Sequence, residues 1–193
     1  MCKRCDWTHS NPLMIKYHDE EWGVPLHDDR KLFEFLVLEG FQAGLSWQIV
    51  LNKRETFRGA FDHFDPVIVS QYDEKKIDSL MANPGIVRNK AKITACVNNA
   101  QKFLEIQAQC GSFDNYIWAF MDFKPVVNIF REMKDLPAKT SLSNTISADL
   151  KKRGFKFVGS TVVYAHMQAT GMVNDHLVGC FRYQEINECY HQL

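Results

Sequence analysis

Apolar residues recur through most of the chain at intervals of three and four, the spacing of helices buried along one face. The stretch DDRKLFEFLVLEG predicts a helix that starts at the acidic caps Asp28 and Asp29 and stops at Gly40. SWQIVLNKRETFRGAF predicts one helix capped by Ser46, with Ile49, Val50, Phe57, Ala60 and Phe61 on its apolar face. DPVIVSQYDEKKIDSLMANPG reads as two short helices, with Pro66 at a first helical position and NPG as the stop. The longest element is expected in IVRNKAKITACVNNAQKFLEIQAQCG, ending at Gly111, and a shorter one in SFDNYIWAF. From Asp122 to Ser143 the periodicity lapses around Pro125 and Pro137, which predicts a long irregular loop. Two further helices, NTISADLKKR and STVVYAHMQATG, flank GFKFVG, and the tail after Cys180 has no clear pattern. Two-residue alternation is rare, so the expected fold class is all-α.

Composition supports burial. The chain has 193 residues, 46% of them hydrophobic, with 14 Phe and 4 Trp. It shows no internal repeat, low-complexity tract or linker, so residues 1–193 are read as a single domain. No apolar run approaches the length of a membrane span, and MCKRCDW lacks the apolar stretch of a signal peptide. A cytoplasmic protein is expected, without a membrane partner. Nothing demands a second subunit, so a monomer is expected. The formal net charge is zero, which argues against attachment to nucleic acid by bulk charge alone and leaves room for a local basic patch.

Six cysteines in a reducing compartment suggest thiols or metal ligands before disulfides. His176 and Cys180 are spaced as neighbours on a helical turn, and Cys5 and His18 lie near the other end of the chain. Together they would make a Cys2His2 set, the chemistry of a structural zinc with no position left for water. A buried thiol at Cys5 and ordinary core histidines account for the same residues. Cys2, in CKRC, is a competing ligand or redox partner of Cys5. Cys96, Cys110 and Cys189 are expected to be inert.

LKKRGFKFVGSTVVYAHM carries a tight turn from Gly154 to Gly159 between helical segments, anchored by Phe155 and Val158. Lys151, Lys152, Arg153 and Lys156 make it the densest basic patch of the chain. Amides opening the second helix favour an anion, which suits a helix-hairpin-helix grip on a DNA phosphate. An αα corner with a solvated basic face fits equally well.

Glu39 raises a sharper question, because it ends an apolar run and is followed by Gly40, Gln42, Gly44 and Trp47. A carboxylate in such surroundings is costly unless paired or used. Trp7, Tyr17 and Trp22 lie close by in sequence. Most aromatic residues in a domain this size are core. Combined with a carboxylate, however, π faces make a receptor for a flat cation.

WTHSNPLMIKYHDEEWGVP, LEGFQAGLSWQIVLNKRE, GIVRNKAKI, LKKRGFKFVG and MQATGMVNDHLVGC, in this order, resemble the 3-methyladenine DNA glycosylase I family of the helix-hairpin-helix DNA glycosylase superfamily. The similarity runs from about Cys5 to Cys180. It implies an all-α fold of two helical lobes with a cleft between them, a helix-hairpin-helix element at about 143–171, and termini joined by one structural zinc on Cys5, His18, His176 and Cys180. It implies that Glu39 is the catalytic carboxylate of a base pocket. Tyr17 and Trp47 would contact the base there, with Met14, Trp7 and Trp22 around them. Gln42, Gly44 and Leu45 would press into the duplex, and Gly154, Lys156, Gly159, Ser160 and Thr161 would hold its backbone. The implied partner is double-stranded DNA containing alkylated adenine, and the implied reaction is hydrolytic release of 3-methyladenine in base excision repair, with no catalytic cofactor.

Three departures bear on this. Many superfamily members carry an aspartate that assists hydrolysis where this chain has Asn174, with Asp175 one residue later. Bifunctional relatives carry a lysine nucleophile where this chain has Ser160 and Thr161, so a monofunctional enzyme is expected. The family usually has a tyrosine at Met14, so a modest change in stacking is expected. A sister glycosylase with a different base preference, a non-catalytic DNA-binding module and a zinc hydrolase are the rival readings.

Overall fold

A computed structural model describes residues 3–8 and 11–190. Cys2 lies outside the described residues. Eleven α-helices occur among them: α1 (Pro12–Glu20), α2 (Asp29–Gln42), α3 (Trp47–Asn52), α4 (Arg54–Ala60), α5 (Pro66–Val69), α6 (Glu74–Ala82), α7 (Lys90–Cys110), α8 (Phe113–Trp118), α9 (Ser141–Lys152), α10 (Ser160–Ala169) and α11 (Phe181–Tyr190). The fold is mostly helical, as expected.

Local chemistry sets most of the boundaries. Side-chain oxygens of Asn11, Asp28, Asp65, Asp73, Asn89 and Ser112 accept from first-turn amides of the helices that follow them. Thr140 and Ser143 bond reciprocally at the start of α9. Asp29 reaches from α2 to the start of α8, where it accepts from the amides of Phe113 and Asp114, both at 2.8 Å.

Four expectations need correction. α2 does not stop at Gly40 but runs on to Gln42, so Glu39 lies inside its last turn. Gly40 is buried there and lies against Phe157. The single helix expected after Ser46 is two, α3 and α4, broken at Lys53. The break turns Arg54 inward, where it pairs with Glu34 at 2.6 Å and Glu21 at 2.7 Å. The tail after Cys180 forms α11, which buries only Ile186 along its length and so carries almost no apolar period. Finally, His176 and Cys180 lie in the turn before α11, not on a helix.

The irregular segment between α8 and α9 contains β1 (Val126–Val127), which pairs in parallel with β2 (Val173–Asn174). The amide of Val178 donates to the carbonyl of Phe130 at 2.9 Å, so this segment is tied to the region near the C-terminus.

Two clusters of buried apolar residues hold the helices. The larger draws on buried residues of α2, α7 and α10 and includes Phe33, Phe41, Phe57, Phe103 and Trp118. The smaller joins Cys5, Met14, Tyr17, Trp22 and Phe35 to Leu177 and Cys180, bringing the two ends of the chain together. Trp47 and Leu26 pack against both.

Candidate base pocket and metal centre

At this seam lies a pocket of about 260 Å3. Its size suits a single flat heterocycle, below the ~300–1,000 Å3 of clefts for larger ligands. Trp7, Met14, Tyr17 and Trp22 come from the N-terminal region, and Glu39, Gln42 and Trp47 from α2 and α3. The structure thus brings all seven of these residues together. Tyr17 and Trp47 have ring centroids 5.2 Å apart, and Trp7 meets Trp22 edge-on at 5.1 Å. Four further lining residues carry no sequence signal of their own: Met133 and Leu136 from the irregular segment, Ala165 and Gln168 from α10.

Polar groups in the pocket are incompletely paired. Glu39 is 3% exposed, and its Oε2 has no hydrogen-bond partner. The indole Nε1 of Trp47 is also buried without one. Such atoms are rare, because each forgoes the water it had when unfolded. One carboxyl oxygen and one N–H donor left unpaired in the same aromatic pocket are suited to a polar ligand. Burial pushes the Glu39 carboxyl up to about 8, which favours its protonated form at pH 7. Burial, and then the nearby Glu39, also raise the Tyr17 hydroxyl well above its ordinary value, keeping it protonated.

An adjoining recess of about 180 Å3 shares Glu39, Gln42 and Ala165 with the pocket and adds Gly44, Leu45 and Thr161. Gly44 has φ +85°, which a side chain would strain, and Leu45 is exposed. The loop after α2 and the start of α10 therefore meet beside the pocket mouth.

The glycine-rich turn lies between α9 and α10. Gly159 opens α10 with no side chain capping its first amides. Gly154 has a different part from the one expected. It stops α9 at φ +93°, and its amide is taken by the carbonyl of Lys151 at 2.9 Å. The amide of Lys156 is likewise taken by Asn99, at 2.8 Å, which leaves its exposed ammonium as the free group. Ser160 begins α10, half-buried.

Neither residue of the Asn174–Asp175 pair lines the pocket. Asn174 donates to the carbonyl of Tyr183 and to Asn187, bracing α11. Asp175 accepts from Asn128 at 2.7 Å, Tyr164 at 2.5 Å and Gln168 at 2.7 Å. Through Gln168 it fixes an amide at the pocket's edge.

Behind the aromatic wall, Cys5, His18, His176 and Cys180 are all buried, and their donor atoms lie within 4.8 Å of one another. His18 turns Nε2 towards Cys180 Sγ (3.4 Å) while its Nδ1 bonds Asp19 at 2.7 Å. His176 turns Nδ1 towards both sulfurs (3.7 and 3.8 Å), and its Nε2 bonds the carbonyl of Trp22 at 2.9 Å. Asp19 is held in turn by Arg4. Orientation of each imidazole by its outer nitrogen is the usual support of metal-bound histidine. The residues present fit a four-coordinate ion.

Similarity to known proteins places the chain among the glycosylases, enzymes that hydrolyse glycosidic bonds. The family model described as methyladenine glycosylase matches residues 7–183, and the chain belongs to that family. DNA-3-methyladenine glycosylase 1 of Escherichia coli strain K12 is 47% identical over 181 residues, spanning 94% of this chain and 97% of that protein. A crystal structure of 3-methyladenine DNA glycosylase I, 47% identical, superposes with a TM-score of 0.90 over 93% of this chain and 98% of its own. A structure of 3-methyladenine DNA glycosylase I from Staphylococcus aureus, solved for the basis of its 3-methyladenine recognition, is 37% identical. It covers 92% of this chain and 95% of its own, with a TM-score of 0.89. No helix among the described residues is long and apolar enough to cross a membrane.

Proposed function

We propose that this chain removes 3-methyladenine from alkylated double-stranded DNA by hydrolysing its N-glycosidic bond, leaving an abasic site for base excision repair. The observation that carries this reading is the unpaired Glu39 Oε2 and Trp47 Nε1 beside the rings of Tyr17 and Trp47, which are tilted at 45° to each other. The flipped nucleotide enters the pocket, its rings against these faces. The methylated adenine is cationic in DNA, so Glu39 ionises to pair with it and gives up its proton. Neutral adenine offers no charge to draw that proton away and is held less well. Glu39 thus acts in capture of the damaged base, raising kcat/KM through discrimination in the flipped state.

Water then attacks the sugar C1′ as the bond to the base breaks. The bond pair stays with the base, which leaves neutral, and the water loses a proton to solvent. A cationic leaving group needs little acid help, in keeping with the absence of Asn174 and Asp175 from the pocket lining. No lysine lines the pocket or the adjoining recess, which favours plain hydrolysis over a Schiff base. Gln42, Gly44 and Leu45 would fill the space left in the duplex, while Ser160, Thr161 and the amide of Gly159 would meet the backbone, helped by Lys156. Cys5, His18, His176 and Cys180 would hold one zinc ion, which ties the ends of the chain together and takes no chemical part.

Chromatography of the bases freed from methylated duplex DNA tests the reading. Release of 3-methyladenine with little 7-methylguanine is expected. A folded sample that binds DNA and frees neither base would reduce the chain to a binding module.

A further inference from the structure

Lys92 stands in the stretch GIVRNKAKI, in the first turn of α7, and is 8% exposed. Its ammonium faces no carboxylate at ion-pair distance. Instead it donates to two backbone carbonyls, that of Phe41 at 3.0 Å and that of Ala43 at 2.7 Å. These carbonyls flank Gln42, at the point where α2 gives way to the exposed loop. α2 has no basic residue in its own last turn, so Lys92 supplies from another helix the positive charge its C-terminus lacks. The same ammonium lies 5.9 Å from the ring of Phe157, at the tip of the glycine-rich turn. Its own backbone is fixed, with the amide on Asn89 at 3.1 Å and the carbonyl accepting from Cys96. One side chain therefore joins the end of the pocket helix, the loop beside the pocket mouth and the hairpin.

We propose that Lys92 is a positioning residue for strand entry, holding the Ala43–Leu45 loop in the shape that displaces a nucleotide from the duplex. This rests on the reading of the pocket as a receptor for a base drawn from DNA. The loop has little else to hold it: one short internal bond, Leu45 amide to Gln42 carbonyl at 2.6 Å, and a left-handed Gly44. Without the ammonium, two carbonyls at the helix end lose their donor, and the loop leaves its orientation relative to the hairpin. Trp47 keeps its place because it packs against both apolar clusters, and Glu39 because it stands within α2. The cost falls on opening the duplex, not on recognising the base.

The test compares wild type, Lys92→Met and Lys92→Gln on three substrates: methylated duplex DNA, methylated single strands and the free base 3-methyladenine. Displacement from a stack is needed only in the duplex. For Lys92→Met, excision from duplex is expected to fall by ~100-fold, the scale for misplacement of about 1 Å. Excision from single strands should stay within ~3-fold, and binding of the free base should not change. Lys92→Gln keeps a neutral donor and should lie between. Duplex excision at the wild-type rate in both variants overturns the proposal. So does a parallel fall on all three substrates, which would make Lys92 a support of the pocket or of the fold. Wild-type protein that binds the free base and excises from neither DNA would instead remove the function on which the proposal rests.

Discussion

The Cys/His cluster and the base pocket stand back to back and share an aromatic wall. Trp7 packs edge-on against His18 at 5.3 Å and Trp22 against His176 at 4.6 Å, while both tryptophans line the pocket. In the cluster every outer ring nitrogen has a partner, Asp19 for His18 and the Trp22 carbonyl for His176. In the pocket, Glu39 Oε2 and Trp47 Nε1 have none. The atoms compared are buried in both regions, so the difference lies in their pairing. A closed set of mutually oriented donors is a fastening, and an incomplete one is a receptor. Stability is gathered on one side of the wall, and a desolvation cost is kept on the other until a ligand arrives.

The largest effect should come from undoing the closed side. A chelator, or His176→Ala, is expected to abolish cooperative unfolding and base release together, since zinc in such sites contributes on the order of 10 kcal/mol to folding. Metal analysis of the purified chain should give about one zinc per molecule. A chelated sample that keeps its helical signal and melting point but stops releasing base would move the metal into the chemistry and reverse the comparison.

Glu39 comes next. Breaking its pairing with a cationic base should lower kcat/KM by ~10²–10⁴-fold in Glu39→Gln, matching the ~3–5 kcal/mol lost when one partner of a buried pair is removed. The same change should raise stability. The folded carboxyl keeps its proton up to about pH 8, whereas the unfolded one loses it near its ordinary value of 4.5. The native state thus binds the extra proton between those values, and wild type loses stability as pH rises through that window. Glu39→Gln should gain over wild type by roughly 1–3 kcal/mol, with the gap widest above pH 8. Wild-type kcat/KM should rise by about tenfold per pH unit towards 8 and level off, while the glutamine variant stays flat. A wild-type profile flat from pH 6 to 9 would mean that Glu39 does not ionise on capture.

Much of this arrangement was legible before the fold was known, but by different routes. Helices with a capping side chain, such as α2 after Asp28 and α7 after Asn89, follow from local chemistry. α11 does not, because its contact with the body is a single buried residue, Ile186. The break between α3 and α4 was hidden as well, since it serves the pairing of Arg54 with Glu21 and Glu34, which are distant in sequence. Tyr17, Trp47 and the four possible metal ligands stood out on residue chemistry, but spacing alone left them undecided and family resemblance raised them. Met133 and Leu136 sit in a stretch with no period, and Gln168 reaches the pocket from a helix whose other face is core. Only tertiary placement reveals them.

Trp47→Phe sharpens the open side by removing the unpaired N–H while keeping a smaller aromatic face. Base affinity should fall by roughly tenfold or less, the worth of one neutral hydrogen bond. The free protein should melt about 2–4 °C higher for each kcal/mol gained from losing an unsatisfied buried donor. An unchanged affinity with a raised melting point would leave stacking as the whole contribution of Trp47.

The smallest expected effect lies at Met14, which belongs to the apolar cluster containing Cys5 and Cys180 and also lines the pocket. Met14→Tyr installs the residue usual in the family. A ring there can add an aromatic contact to the base, worth about 0.5–1.5 kcal/mol, or up to roughly tenfold in affinity. Methionine already supplies a polarizable surface, so a gain of ~2–5-fold is expected. Zinc content and melting point should not move, because the added atoms extend into the pocket and away from the cluster. If Met14→Tyr instead loses zinc or melts lower, the wall transmits packing from one site to the other, and the two regions act as one.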